Sequence, residues 1–135
     1  MRRLTVLLTL LVSLLAAACW APGARAADRI YFTTPYSAAP KIFGANLDGS
    51  SVAHEPVVTG AGTVGQPFGL AVDTKTNRLY WGAYTGNKIG FTNLDGSGGG
   101  DLVTGAATVA GPSGVLVDQA AGSIYWANGT GNKIS

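Results

Sequence analysis

Charged residues, cysteine and histidine are all scarce in this chain. Of its 135 residues 12% are charged, and it holds one cysteine and one histidine. Three of the nine basic residues lie within the first 26 positions, where no acidic residue occurs. From Ala27 onward seven acidic residues face six basic ones. No basic run remains that could follow a phosphate backbone, so the composition argues against nucleic acid as the partner.

The scarcity of charge goes with a high hydrophobic content of 47%, which excludes a disordered polymer. The 20 glycines follow no Gly-X-Y period, which excludes a collagen-like chain. After residue 26 no stretch shows a sustained helical period. What is left is one small domain without helices.

The first 26 residues have the layout of a secretory signal peptide. Two arginines open the segment, an uncharged run covers residues 4–18, and Ala24-Arg25-Ala26 supplies the small-x-small pattern of a cleavage site. We therefore expect a helical signal peptide over 1–26 and a mature chain over 27–135 that is secreted, periplasmic or at the cell surface. The apolar stretch over 4–18 is shorter than the roughly 20 residues of a spanning helix, so we expect no stable membrane span.

Cys19 offers an alternative route of export. Residues 15–19 read Leu-Ala-Ala-Ala-Cys and resemble a bacterial lipobox, in which the cysteine is lipidated. That pattern prefers Leu three residues before the cysteine, where this chain has Ala16. We expect cleavage after Ala26 instead, which removes Cys19. The mature chain then has no cysteine and no disulfide, and packing alone must stabilise it.

An internal repeat is the most informative feature of the mature chain. The pattern Pro-x-Gly-x-x-Val-Asp at 67–73 returns at 112–118, and Thr-Gly-Asn-Lys-Ile at 85–89 returns at 130–134, in both cases 45 residues later. An earlier copy lies 47 residues before the middle one, because Asn-Leu-Asp-Gly-Ser occurs at 46–50 and again at 93–97. These matches predict repeat units over about 28–66, 67–111 and 112–135.

Each unit is composed of short β-rich runs separated by Gly, Asn and Asp, which are strand and hairpin signals. The middle unit predicts four strands, of which the fourth covers residues 101–104. The first unit lacks its leading strand, and the last unit ends in a stub at 133–134. Four strands in about 45 residues are typical of a β-propeller blade. The predicted fold class is therefore all-β, with about two and a half blades of four antiparallel strands.

Four motifs carry a family resemblance: Gly-Leu-Ala-Val-Asp, Leu-Tyr-Trp, Asn-Lys-Ile and Asn-Leu-Asp-Gly-Ser, in that order within the middle unit. Together they resemble the YWTD repeats of low-density lipoprotein receptors and are similar to the NHL-type propellers of bacterial exported proteins. The resemblance covers nearly all of residues 28–135. It implies a propeller fold but no single function, because propellers host binding, scaffolding and several enzymes.

The chain departs from the YWTD pattern directly after each Tyr-Trp pair. Where the family has Thr-Asp, this chain has Gly82-Ala83 in the middle unit and Ala127-Asn128 in the last. In the family that Asp ties neighbouring blades together by hydrogen bonds. The resemblance therefore implies that Asn128 keeps part of this role and that Ala83 does not, and the wider bacterial group fits better than the receptor subfamily.

Closed propellers need four to eight blades, more than this chain supplies. Two explanations are open. The chain is a piece of a longer propeller, which we expect, or several copies assemble into a ring as a homo-oligomer.

Two sets of repeated residues are candidate site residues. The first either packs between blades or faces a ligand groove: Tyr80, Trp81, Tyr125, Trp126 and Asn128. The second consists of aspartates at strand ends and in Asp-Gly turns: Asp48, Asp73, Asp95 and Asp118. We expect these aspartates to cap their own turns rather than to form a ring of metal or cation ligands, because a repeat keeps what every blade needs.

No motif predicts a catalytic residue, a metal site or a bound cofactor. The segment 60–65 satisfies G-x-G-x-x-G, but another strand follows where a dinucleotide site needs a helix. His54 is next to Glu55, and neighbours on a strand point to opposite faces. No G-x-S-x-G nucleophile motif occurs.

The expected function is that of an exported, non-catalytic propeller module that binds or scaffolds a protein or a glycan. One alternative is a fragment of a propeller enzyme of the lactonase or lyase type, whose site needs His, Glu or Asp from several blades. One His and one Glu after the signal peptide argue against it, although further blades could carry the rest. A lectin-like ring of several short chains is the other alternative.

Overall fold

The computed structural model describes residues 29–48, 55–57 and 64–135. The predicted signal peptide with Cys19, and also His54, lie outside the described residues. The regular structure within them consists of ten β-strands. They are β1 (Arg29–Thr33), β2 (Ile42–Asn46), β3 (Glu55–Pro56), β4 (Pro67–Asp73), β5 (Arg78–Ala83), β6 (Lys88–Asn93), β7 (Gly100–Asp101), β8 (Pro112–Asp118), β9 (Ser123–Asn128) and β10 (Lys133–Ile134).

These strands form three antiparallel sheets, which we call blades 1, 2 and 3. Blade 1 contains β1–β3, blade 2 contains β4–β7 and blade 3 contains β8–β10, and strands that are consecutive in the chain pair with each other. A four-stranded antiparallel sheet in sequence order is the unit of a propeller. The structure thus confirms the predicted fold class for the described part of the chain. No helix there is long and apolar enough to cross a membrane.

Residues in the left-handed conformation close the hairpins. Asn77 ends the turn between β4 and β5 with φ 58°, and Gly122 does so between β8 and β9 with φ 65°. Asn87 and Asn132 take the same conformation, at 49° and 50°, before β6 and β10. Asparagine and glycine tolerate this conformation better than other residues, which explains their recurrence in the repeat.

Close backbone approach at two glycines packs blade 3 on blade 2. A Cβ atom at Gly69 would lie 2.8 Å from the Cα of Gly114, and one at Gly82 would lie 2.6 Å from the carbonyl oxygen of Pro112. Both distances are far inside van der Waals contact, so a side chain at either position would separate the sheets. The Pro-x-Gly pattern of the repeat therefore sets the distance between these two blades.

A hydrophobic core fills the space between blades 1 and 2. Its buried members come from both sheets: Ile42, Val57, Leu79, Trp81, Ala83 and Leu94. Leu79, Trp81 and Ala83 alternate along β5, so one face of that strand points to blade 1 while the other points to blade 3. The Trp81 ring lies over Gly90, where no Cβ atom would fit.

The outermost strand of blade 2 is shorter than the sequence predicts. We expected residues 101–104, but β7 covers Gly100–Asp101. Leu102 still donates its N–H to the carbonyl oxygen of Ile89 at 2.7 Å. Val103 is 92% exposed, and the chain then turns at Gly105. A β-branched residue does not extend an edge strand when it has no neighbour to pack against.

Candidate binding surface

The repeated aspartates form hydrogen bonds within their own turns. Oδ1 of Asp73 accepts backbone N–H groups two and three residues later, at 2.9 and 3.3 Å. Oδ1 of Asp118 accepts the corresponding pair at 3.0 and 2.9 Å. Asp95 accepts both the N–H and the hydroxyl of Ser97, at 2.8 and 2.6 Å. Asp48 lies exposed in the corresponding turn after β2.

These bonds keep two of the aspartates ionised. The Thr76 hydroxyl, together with the N–H groups of Thr76 and Lys75, holds the pKa of Asp73 below its ordinary value despite burial. The Ser97 hydroxyl and N–H lower the pKa of Asp95 in the same way. A carboxyl group with a lowered pKa is a poor proton donor near neutral pH. The arrangement suits turn stabilisation and does not suit acid–base chemistry.

The two repeated tryptophans are buried between blades. Trp81 is fully buried among Ile42 and Val57 of blade 1 and its own sheet. Trp126 is nearly buried, and its Nε1 donates to the carbonyl oxygen of Thr108 at 2.9 Å. Trp81 therefore has no surface open to a ligand, and Trp126 is covered except for about 5% of its surface.

The two repeated tyrosines have different surroundings. Tyr80 is partly buried, with its ring 6.2 Å from that of Phe91, and lines a cleft between blades 2 and 3. Tyr125 holds the same repeat position in blade 3, where its side chain is exposed. The structure therefore does not bring these two tyrosines to one site.

Asn128 fixes the segment that joins blades 2 and 3. Its side chain is 3% exposed. Its Oδ1 accepts the N–H of Ala110 at 2.8 Å, and its Nδ2 donates to the carbonyl oxygen of Thr108 at 3.2 Å and to Oγ of Ser135 at 3.1 Å. Ala83, at the same repeat position, has no side-chain group for such bonds.

Asn87 makes an inter-blade bond that the sequence did not reveal. Its Oδ1 accepts the N–H of Gly111 at 2.7 Å and so links a turn of blade 2 to the start of blade 3. Asn87 recurs as Asn132 in the last copy, and this recurrence indicated only that Asn87 is a turn residue. The Gly111 N–H lies 24 residues away in the chain, and its position depends on how the blades stack.

Three aromatic side chains form what we call the aromatic rim: Tyr36, Phe68 and Tyr84. Phe68 lies between the other two and meets each edge to face, with ring centroids 5.7 Å from Tyr36 and 5.4 Å from Tyr84. Tyr36 is 83% exposed. The rim stands where the turns after β1 and β5 meet the start of β4. Large, stiff amphipathic side chains of this kind are enriched at protein interfaces.

The aromatic rim breaks the repeat. In blade 3 the position of Phe68 is held by Ser113 and that of Tyr84 by Gly129. A residue that packing requires in every blade recurs, so these aromatics serve something other than the common blade structure. The sequence could have indicated this surface, because aligning the middle and last copies shows aromatic residues that are present in only one of them.

A cleft of about 260 Å³ lies between blades 2 and 3 at the end opposite to the rim. Gln119 crosses it, accepting the Thr74 hydroxyl at 3.4 Å and donating to the carbonyl oxygen of Val72 at 3.4 Å. The Asp73 carboxylate on its wall is already hydrogen-bonded within its own turn. The walls of the cleft are mainly apolar, and its polar lining residues include Lys75, Tyr80 and Ser123.

One side of blade 3 is apolar, and no sheet of the described residues covers it; we call this side the open face. It forms a shallow groove of about 300 Å³. Its lining residues are Gly114, Val115, Leu116, Tyr125, Trp126, Ala127 and Ile134. Gly114 and Ala127 hold the repeat positions of Gly69 and Gly82, so the open face corresponds to the surface of blade 2 that blade 3 covers.

The described residues contain no group of three His, Cys, Asp or Glu side chains placed to hold a metal ion. Most of the glycine-rich segment 60–65 lies outside them. Its described end, Gly65, leads through Gln66 into β4 rather than into a helix. This continuation lacks the helix N-terminus that receives a pyrophosphate in dinucleotide-binding folds.

Comparison with known proteins bears on the fold. No family model and no curated protein matches the chain. Among solved structures 38 chains match, one of them in the crystal structure of a nidogen/laminin complex. The matched chain is 24% identical in sequence, with a TM-score of 0.54. The match covers 75% of the present chain and 35% of the matched chain, so the present chain spans about a third of the matched chain's length. The likeness supports a YWTD-like β-propeller fold for the described blades.

Proposed function

We propose that the chain is an exported, non-catalytic β-propeller module that binds a protein partner through the aromatic rim. The single observation that carries the proposal is the edge-to-face series of Tyr36, Phe68 and Tyr84, which the repeat does not require. Aromatic residues in loops supply much contact area at a low cost in side-chain entropy. The matched neighbour, which lies in a protein–protein complex, supports a protein as the partner.

The carboxylates support a non-catalytic role. Asp73, Asp95 and Asp118 are occupied by their own turns, and the pKa of Asp73 and of Asp95 is lowered. An enzyme of the lactonase or lyase type needs carboxylates or imidazoles that converge and remain free to exchange protons or bind a metal. These three aspartates are instead distributed one to a turn.

Site-specific photo-cross-linking tests this proposal. A benzoylphenylalanine placed at position 36 is expected to capture a discrete protein when cells that produce the full chain are irradiated. Leu47, exposed in a turn at the opposite end of blade 1, is the matched control position. The proposal is supported if a protein is cross-linked at position 36 and not at position 47, and if the cross-link at 36 is lost in the Phe68→Ser variant. Equal capture at both positions, or a glycan as the sole adduct, contradicts it.

Export is part of the same proposal and has its own test. The Ala24-Arg25-Ala26 site and the Ala at position 16 favour a mature protein that begins at Ala27 without lipid. Intact-mass spectrometry of the exported protein measures this directly. A diacylglycerol-modified Cys19 at the N-terminus would overturn the soluble route and leave the binding proposal unaffected.

A further inference from the structure

Three lysines stand at the same place in the three blades. Lys41 precedes β2, while Lys88 and Lys133 are the first residues of β6 and β10. All three side chains are exposed. Each therefore follows the turn between the same two strands of its blade, although the lysines are 45 to 47 residues apart in the chain.

Contacts between the blades bring these turns to one end of the molecule. Tyr36, in the turn before the first lysine, meets Phe68 at the start of β4. Tyr84 lies in the turn before the second lysine, and its ring lies close to Gly111. A Cβ atom built on Gly111 would be 2.9 Å from the Tyr84 ring. Gly111 directly precedes β8, the first strand of blade 3. The three lysines and the aromatic rim thus share what we call the lysine end.

The described parts of the segments that connect strands at the lysine end carry no other charge. They contain no Asp, Glu, Lys or Arg and cover residues 34–40, 57, 64–66, 84–87, 102–111 and 129–132. The four repeated aspartates lie in turns at the opposite end, and Glu55 and Asp101 lie on the outer strands β3 and β7. Arg29, Lys75 and Arg78 also lie at that opposite end, which therefore carries both signs of charge. Among the described turns, those that precede the three lysines have only basic residues as charged neighbours.

We infer that the lysine end binds an acidic polypeptide segment, with its carboxylates toward Lys41, Lys88 and Lys133 and an apolar side chain on the aromatic rim. The inference rests on the proposed function and names the chemistry of the partner. Complementary potentials steer association and select among partners. Three lysines with no arginine are too few for a phosphate-tracking surface, which favours a peptide over a nucleic acid.

Fluorescence anisotropy with a defined probe tests the inference on the full chain. The probe is a labelled peptide of about 12 residues that alternates Asp and Glu around one Phe, a length that spans neighbouring blades when extended. The same peptide with Asn and Gln in place of the acids is its control. The variant Lys41→Gln/Lys88→Gln/Lys133→Gln is compared with Lys75→Gln, which removes an exposed lysine at the opposite end. Near-ultraviolet circular dichroism checks that each variant is folded.

We expect the triple variant to bind the acidic peptide about tenfold more weakly, since each solvent-exposed ion pair between a lysine and a peptide carboxylate contributes modestly. Lys75→Gln is expected to bind like the parent chain. Affinity of the parent should fall between about 50 and 300 mM salt because the contacts are exposed to screening. Equal losses in the triple variant and in Lys75→Gln overturn the inference. So does equal affinity for the neutral peptide, or binding of anionic lipid vesicles or DNA without the peptide.

Failure of this inference can be distinguished from failure of the proposed function. If position 36 still captures the same protein at unchanged yield in the triple lysine variant, the rim binds a partner that is not acidic. The proposed function then stands and the inference falls. If position 36 captures no protein in the parent chain, the proposed function itself falls.

Discussion

Ile89 and Ile134 occupy the same position of successive repeats, yet Ile89 is fully buried and Ile134 is 79% exposed. The two residues pair with Gly82 and Ala127 of the neighbouring strand in equivalent registers. What differs is the next sheet, because blade 3 covers the side of blade 2 on which Ile89 lies. The same residue type in the same local structure is thus core or surface according to the stacking of whole blades.

The open face around Ile134 predicts self-association. Residues 27–135 expressed alone should form a defined ring or soluble aggregates, because an apolar face and unpaired strand edges invite pairing. Ile134→Ser should shift the population toward smaller species while changing the free energy of unfolding by less than about 0.5 kcal/mol, as surface substitutions do. Light scattering coupled to size exclusion measures the mass. A monodisperse parent monomer with a cooperative melt would contradict the prediction.

Matched substitutions at two equivalent glycines should have opposite outcomes. Gly69→Ala puts a methyl group against the backbone of β8 and should destabilise the protein by about 1–3 kcal/mol through overpacking. Gly114→Ala meets only the methyl group of Ala127, at 3.9 Å, and should be tolerated. Urea unfolding of the full chain, followed by tryptophan fluorescence, gives both values. Equal values for the two variants would show that the blades do not stack through Gly69.

Truncation of Trp81 should remove the core between blades 1 and 2. Trp81→Ala is expected to cost about 3–5 kcal/mol, as large aromatic truncations in cores do. That loss is a large part of the stability of a typical domain, so the melting temperature should drop strongly. Tyr36→Ala, at an exposed aromatic, is the matched control and should melt like the parent. A Trp81→Ala variant that also melts like the parent refutes the packing described for this indole.

Asp73 should make stability depend on pH in the acid range. Hydrogen bonds lower its pKa in the folded state relative to about 3.9 in the unfolded chain. Its contribution is therefore present above the unfolded pKa and is lost as the pH falls through the folded pKa. Unfolding free energies measured from pH 6 to 2 should decline less steeply in Asp73→Asn and in Thr76→Val. Identical slopes in parent and variants would exclude this turn as a source of the dependence.

The repeat in the sequence made the strands and blades predictable because their residues recur within units of about 45 residues. The bonds of Asn128 were expected only from the YWTD resemblance, and no periodic pattern indicates them. Comparison of the repeat copies could have singled out Phe68 and Tyr84, but not their contact with each other and with Tyr36, because only blade stacking brings the three segments together. The repeat does show Lys41, Lys88 and Lys133 as equivalent positions, but only the stacking of the blades places them at one end of the molecule together with the rim.

The contact between Gly69 and Gly114 restricts how an array of this kind can grow. Gly69 of blade 2 contacts the backbone of Gly114 in blade 3, and Gly114 has the same repeat position as Gly69. Each of these two blades therefore carries a glycine at the position that its neighbour needs. A duplicate of residues 67–111 inserted before Pro112 would find a suitable glycine on the blade before it and present one to the blade after it. A blade with a larger residue than glycine at the position of Gly69 would place a side chain against the neighbouring backbone. Lengthening by whole units therefore needs no new contact chemistry.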